Sequence, residues 1–207
     1  VMVNRFQCNT FLAASAWLGL LGTCVGCSRL PDDGVVFTEV TKSQPITIED
    51  FSTLTFTDKS GDEVKLADLM TQKYLVLVIT RGWNNGVCFY CASQTSRWAR
   101  RFDELAPYDA QLVVVFPVES EQDATHLDDL AKSIKKEPIS NEAVPYPMLL
   151  DINLTGVDQL GIRSQLAKPA TYIVDREGRV RFAYVGESIA DRPTVDSVLE
   201  QLGQLGQ

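Results

Sequence analysis

Two thiols separated by two residues, Cys88 and Cys91, are the side chains of this chain best suited to chemistry. They follow an uninterrupted apolar run, Tyr74 to Thr80, and open a stretch in which Cys91, Thr95, Trp98, Phe102 and Leu105 recur every three or four residues. That spacing puts Cys88 at a helix start and Cys91 one turn in. At a helix amino terminus the unpaired N–H groups and the macrodipole favour negative charge, which stabilises a thiolate below the free-cysteine value of about 8.5. Cys88 is therefore the expected nucleophile. Cys91, on the stripe of Trp98 and Phe102, points inward and is the expected resolving thiol, able to attack a mixed disulfide and release the reduced partner. A loop this short would add little as a structural staple. With no second cysteine pair in the folded body and His126 as the sole histidine, a zinc site lacks ligands. No metal and no cofactor beyond the redox-active Cys88–Cys91 disulfide is expected.

The other three cysteines, Cys8, Cys24 and Cys27, belong to the amino-terminal segment. Arg5 precedes a charge-free run from Phe11 to Gly26, too short for a spanning helix of about 20 residues, and it reads as an export signal. The closing residues Val25, Gly26 and Cys27 resemble a bacterial lipoprotein signal, with Cys27 as the lipidated residue; Cys24 fits less well. The expected organisation is a signal over 1–27, a polar tether over 28–46 and one domain over 47–207, on the extracytoplasmic side and held to the membrane through the lipid. In that compartment a disulfide pair persists. A net charge of -8 with scattered basic residues excludes a nucleic-acid footprint.

The elements that must position the thiols are legible from periodicity. Phe51 to Phe56 and Val64 to Leu66 alternate around the turn residues Asp58 to Gly61, which predicts a hairpin. Tyr74 to Thr80 suits a central strand covered on both faces. Gln111 to Val118, Met148 to Leu150, Ala170 to Val174 and Val180 to Val185 read as further strands. Helices are expected over Cys88 to Leu105, Asp123 to Lys136, Leu154 to Leu160 and Thr194 to Leu205. The result is an α/β class, a mixed sheet with helices on both faces.

Later in the chain, Lys168-Pro169-Ala170-Thr171 precedes the strand Tyr172-Ile173-Val174, and the string runs on as Asp-Arg-Glu-Gly-Arg-Val. This region resembles the thioredoxin-like superfamily, in particular its AhpC/TSA-type redoxins and extracytoplasmic thiol–disulfide oxidoreductases. The likeness runs from about Phe51 to Leu202 and implies a thioredoxin-like fold. It also implies that Pro169 is the proline facing the active site, with Lys168 and Ala170 beside it receiving a substrate chain. Arg81-Gly82-Trp83 before the cysteines and Gln94 after them resemble the redoxin pattern, which makes Trp83 a substrate-binding candidate. Four residues, Asn84 to Val87, separate Trp83 from Cys88 where relatives have none. Glu119, after the second long strand, is the candidate for the buried acidic proton acceptor of the superfamily.

Within that family two chemistries share one fold. Peroxide reduction draws on a Thr or Ser three residues before the cysteine and an Arg at the start of the late strand; here Asn85 and Pro169 hold those places. Disulfide exchange with disulfide-bearing or dithiol proteins is therefore the leading expectation. A thiol peroxidase is the alternative, with Arg81 or Arg163 as candidates for the missing cation. A copper chaperone of the Sco type would need a histidine near the late strand, whereas His126 falls on the helix after the second strand.

Overall fold

The longest apolar runs of the chain form the centre of a seven-stranded sheet in a computed structural model, which describes residues 34–46, 48, 50–134 and 143–206. In chain order the strands are β1 (Thr55–Thr57), β2 (Glu63–Lys65), β3 (Tyr74–Ile79), β4 (Ala110–Val118), β5 (Met148–Ile152), β6 (Ala170–Asp175) and β7 (Val180–Val185). Their order across the sheet is β2-β1-β5-β4-β3-β6-β7, parallel from β5 to β3 and antiparallel on either side. The expected mixed sheet is thus present. Every residue of β3 is buried. Leu75, Leu77 and Ile79 enter one core with Phe51 and Tyr172, while Tyr74, Val76 and Val78 enter the other with Trp98 and Phe182. Alternation of side chains across a strand explains why such a run needs no polar face. Each fully buried aliphatic side chain contributes about 1.5–3 kcal/mol.

The helices are α1 (Leu66–Leu69), α2 (Phe89–Arg100), α3 (Leu127–Ser133), α4 (Thr155–Gln159) and α5 (Val195–Leu205). None among the described residues is long and apolar enough to cross a membrane. Several boundaries differ from the sequence expectation for identifiable reasons. The helix expected over Cys88 to Leu105 ends at Arg100 and continues as a 3-10 stretch, Phe102–Tyr108, containing Pro107, which has no N–H to give and whose ring crowds the preceding turn. The helix expected from Asp123 begins as a 3-10 stretch, Glu121–His126, and becomes α3 only at Leu127. Leu66, read as strand, starts α1. Phe51 and Leu54, also read as strand, are buried in a turn that precedes β1. Leu154 stands before α4 in the left-handed region, φ 58, and the buried Asp151 carboxylate accepts from Gly156 N–H and Val157 N–H at 2.8 Å. Those bonds satisfy the free donors of the first turn.

The tether expected over 28–46 is corrected from Gly34 onward. Val35, Phe37 and Val40 are each 6% exposed, against 79% for Val36. Gln44 N–H donates to Ala183 O and Gln44 Oε1 accepts from Val185 N–H, so the segment also lies along β7. Its polar opening, Pro31 to Gly34, conceals an apolar alternation at Val35 and Phe37 that seeks burial. The leader over 1–27 with Cys27, and the expected helix end at Lys136, fall outside the described residues.

Candidate active site

β3 delivers the chain to Thr80 and Arg81, a loop follows, and α2 begins with Cys88 as its N-cap at φ -62, ψ 123. Gly82 makes this path possible: it sits at φ 95, and a Cβ there would lie 2.3 Å from Pro117 O. Both thiols are free, Cys88 half-buried and Cys91 fully buried. The hydrogen bond from the Cys91 side chain is the largest influence drawing the Cys88 thiol down to about 5; burial opposes it, and the Cys91 N–H, the Arg192 charge and the Tyr90 N–H assist. The two N–H groups are the donors a helix start supplies to an anion. Cys91 moves the other way. Burial first, then its bond to Cys88, push it well above the ordinary thiol range, with Arg192 and the Arg81 N–H pulling against them. The expected division between nucleophile and resolving thiol therefore has a physical basis in the two environments.

The residue that sequence reasoning missed is Arg192. It is 1% exposed, with Nη2 3.1 Å from Cys91 Sγ and 4.0 Å from Cys88 Sγ. Its Nη1 donates to Ile189 O at 2.6 Å and its Nε to Gln94 Oε1 at 3.0 Å. Gln94, 2% exposed, turns its amide nitrogen towards Thr171 Oγ1 on β6, 3.5 Å away. One buried amide thus ties α2, the late strand and the guanidinium together. No periodicity marks Arg192, which lies in an irregular loop between β7 and α5; its one signal is an arginine beside Pro193 where the chain must turn back over the sheet.

The remaining candidates distribute unevenly. Pro169 is buried at the start of β6, where Ala170 pairs with Ile79 of β3, so both lie at the end of the sheet that leads into Arg81; the Arg81 N–H lies 3.4 Å from Cys91 Sγ. Pro169 O accepts from Gly186 N–H at 2.8 Å. Lys168 is exposed and lines a cavity of about 200 Å³ with Phe51, Leu160 and Tyr172, on the opposite face of the sheet from Trp98. Trp83 packs in the cluster of Cys88 and Cys91 and stacks on His126, ring centroids 3.5 Å apart. His126 Nδ1 lies 2.9 Å from Asp129 Oδ2. Glu119, expected as a buried acid behind the cysteines, is exposed one residue past β4, because the buried run ends at Val118. Neither cation expected for a peroxidase serves: the Arg81 side chain donates to Gln165 Oε1, and Arg163 is held by Asp158 in two bonds of 2.6 Å. Among the described residues no group of three or more His, Cys, Asp or Glu is arranged to hold a metal ion.

A free thiolate at a helix start, a second thiol behind it and a buried guanidinium against both can attack an electrophilic oxygen or sulfur and stabilise the anion that leaves. Among solved structures, the chain is similar to peroxidoxin BcpB from Mycobacterium tuberculosis, at 18% identity over 80% of this chain and 99% of that one, TM-score 0.56. It is similar to a yeast mitochondrial 1-Cys peroxiredoxin at 16% identity over 78% and 76%, TM-score 0.61. Mycobacterium tuberculosis AhpC is similar at 20% identity over 81% and 94%, TM-score 0.56. No curated protein matches the chain. These likenesses show a thioredoxin-like fold. The AhpC/TSA family matches residues 47–183, the span that holds both cysteines, Gln94 and Pro169, and the chain belongs to that family.

Proposed function

We propose that this protein is an oxidoreductase that reduces hydroperoxides through Cys88 and Cys91. The observation that carries the reading is Arg192, whose guanidinium lies 3.1 Å from one sulfur and 4.0 Å from the other. It supplies the cation whose absence from the expected positions favoured disulfide exchange. The names of the similar structures, peroxidoxin and peroxiredoxin, support the same choice.

The steps balance as follows. The Cys88 thiolate attacks one peroxide oxygen, the O–O bond breaks, and Cys88 becomes a sulfenic acid while the other oxygen leaves as alkoxide and takes a proton. Arg192 is placed to stabilise that developing charge. Burial is the largest influence holding the Cys91 proton and persists through the cycle; once Cys88 is uncharged the repulsion of the Cys88 charge is gone, and the pull of Arg192 remains. Cys91 sulfur then attacks Cys88 sulfur, expelling the hydroxyl, which combines with the Cys91 proton as water. A dithiol protein reduces the resulting disulfide by exchange, entering at half-buried Cys88 because Cys91 is sealed.

Disulfide exchange with a protein substrate is the second reading, favoured by the same half-exposed Cys88 and by Pro169 immediately before β6, whose Ala170 pairs with Ile79 of β3. Export, and lipidation at Cys27, belong to the proposal as the setting of this chemistry. Reduced protein is mixed with one equivalent of hydrogen peroxide, and separately with insulin. Peroxide loss matched by formation of a Cys88–Cys91 disulfide is expected, and Cys91→Ser should halt with oxidised Cys88. Insulin reduction with no peroxide loss would overturn the peroxidase in favour of exchange.

A further inference from the structure

The segment before the sheet makes an unusual set of contacts. Thr38 N–H donates to Arg192 O at 2.7 Å, and Thr194 N–H donates to Thr38 O at 3.0 Å, a short parallel bridge centred on Thr38 and Pro193. The Thr38 hydroxyl donates to Asp191 Oδ1 at 2.7 Å. One residue on, the Glu39 carboxylate accepts from Ser197 Oγ and Thr194 Oγ1, and Val40 N–H donates to Ser197 Oγ at 2.8 Å. Thr38 thus pairs with the backbone at Arg192 and Thr194, and further bonds from Thr38, Glu39 and Val40 hold Asp191, Thr194 and Ser197 around it. The other end of the segment is held by the cysteine helix: the Arg97 guanidinium of α2 donates to Val35 O and lies over the Phe37 ring at 4.2 Å.

We infer that residues 35–40 form a strap that is part of the active site, with Thr38 the positioning residue that keeps the Arg192 guanidinium against the two sulfurs. A guanidinium in an irregular loop is free to swing unless its backbone is pinned, and a shift of about 1 Å is enough to weaken a preorganised contact severely. The loop from Gly186 to Pro193 has no strand or helix of its own. The strap supplies the missing pairing, and Asp191 beside it is held further by Tyr184 O–H and Glu187 N–H. Because Arg97 grips the same strap from α2, the helix that presents Cys88 and the loop that presents Arg192 are set against one another through six residues of chain. The inference deepens the peroxidase reading and rests on it only for the turnover it predicts, since the reactivity of Cys88 can be read without any substrate.

Thr38→Pro in the full chain removes both the N–H that donates to Arg192 O and the hydroxyl that donates to Asp191, and leaves every charge in place. Two measurements are made on it and on the parent: the pH dependence of Cys88 alkylation by iodoacetamide, and peroxide turnover. The midpoint of alkylation is expected to rise by about half a unit, a threefold loss of thiolate below it, and turnover to fall about tenfold with KM little changed. A folded Thr38→Pro protein whose alkylation midpoint matches the parent overturns the inference, whatever its turnover. If the parent consumes no peroxide while the midpoint still rises in the variant, the peroxidase reading fails and the strap stands. Should Thr38→Pro lose its near-ultraviolet dichroism, Phe37→Ala takes its place, weakening the Arg97 end by removing the ring under the guanidinium while the bond to Val35 O and the Thr38 bonds remain; an unmoved midpoint there overturns the strap as well.

Discussion

Two loops flank the β6–β7 pair, and each carries an arginine that meets a different fate. In the loop before β6, Arg163 lies on the surface, side chain 41% exposed, in a two-bond fork with Asp158. In the loop after β7, Arg192 is 1% exposed and its hydrogen bonds go to an amide oxygen, a carbonyl and two sulfurs, with no carboxylate among them. An exposed ion pair such as Arg163–Asp158 adds little to stability, because water competes for both groups. A buried guanidinium costs several times more to desolvate and persists only with a nearby anion. The Cys88 thiolate is that anion when the thiols are reduced, and the Arg192 charge adds to the Cys91 hydrogen bond in drawing the Cys88 thiol down. Exposure and partner, rather than residue type, decide which cation belongs to the chemistry.

The comparison breaks most completely when the anion goes. Cys88→Ser is expected to abolish peroxide turnover and to leave Arg192 facing neutral groups, which a stopped-flow peroxide assay and a melting curve detect together. Removing the cation comes next. Arg192→Ala should lower turnover about a hundredfold, the scale of losing one preorganised donor to a developing oxyanion, while a Lys in its place, with one compact charge and no fork for Gln94 and Ile189, should recover only part of the loss. Wild-type turnover in Arg192→Ala would mean that the guanidinium is merely structural.

The pH profile sharpens the comparison by a smaller amount. Alkylation of Cys88 needs the thiolate, so its rate rises as pH rises through about 5 and is flat above that. Below the midpoint it falls about tenfold per unit. The stability sign follows from the same shift: a thiol depressed from 9.0 to about 5 on folding stabilises the reduced protein fully above its ordinary value, and that contribution is lost as pH falls through about 5. Arg192→Ala should move the lower edge of this window upward, and Arg163→Ala should leave it in place.

Much of this arrangement was legible in the residues, and the remainder was hidden for physical reasons. Local periodicity gave every strand of the sheet's centre and put Cys88 at the start of α2, because one strand or helix start depends on residues close together in sequence. Gln94 was visible through its resemblance to the redoxin pattern, yet its partner Arg192 was not, since the two are 98 residues apart and meet only after β7 turns back. Arg81 and Arg163 stand beside the cysteine loop and the late strand in sequence, yet their side chains bond Gln165 and Asp158, and Glu119 is exposed because the buried run stops one residue before it. Thr38 was passed over as tether for a similar reason: its partners, Asp191, Arg192 and Thr194, lie at the other end of the chain.

The smallest effect is expected at Arg163. Its guanidinium pairs with Asp158, a carboxylate drawn below its ordinary range by that same bond and itself exposed, so water competes for both groups and salt screens them. Arg163→Ala should change peroxide turnover less than twofold and leave the urea midpoint almost unmoved at low and at high ionic strength. The residue stands five positions before Lys168 and six before Pro169, on the loop that leads into β6. A loss of turnover approaching that of Arg192→Ala, with stability unchanged, would therefore place a second cation at the mouth of the site and remove the distinction between the two loops.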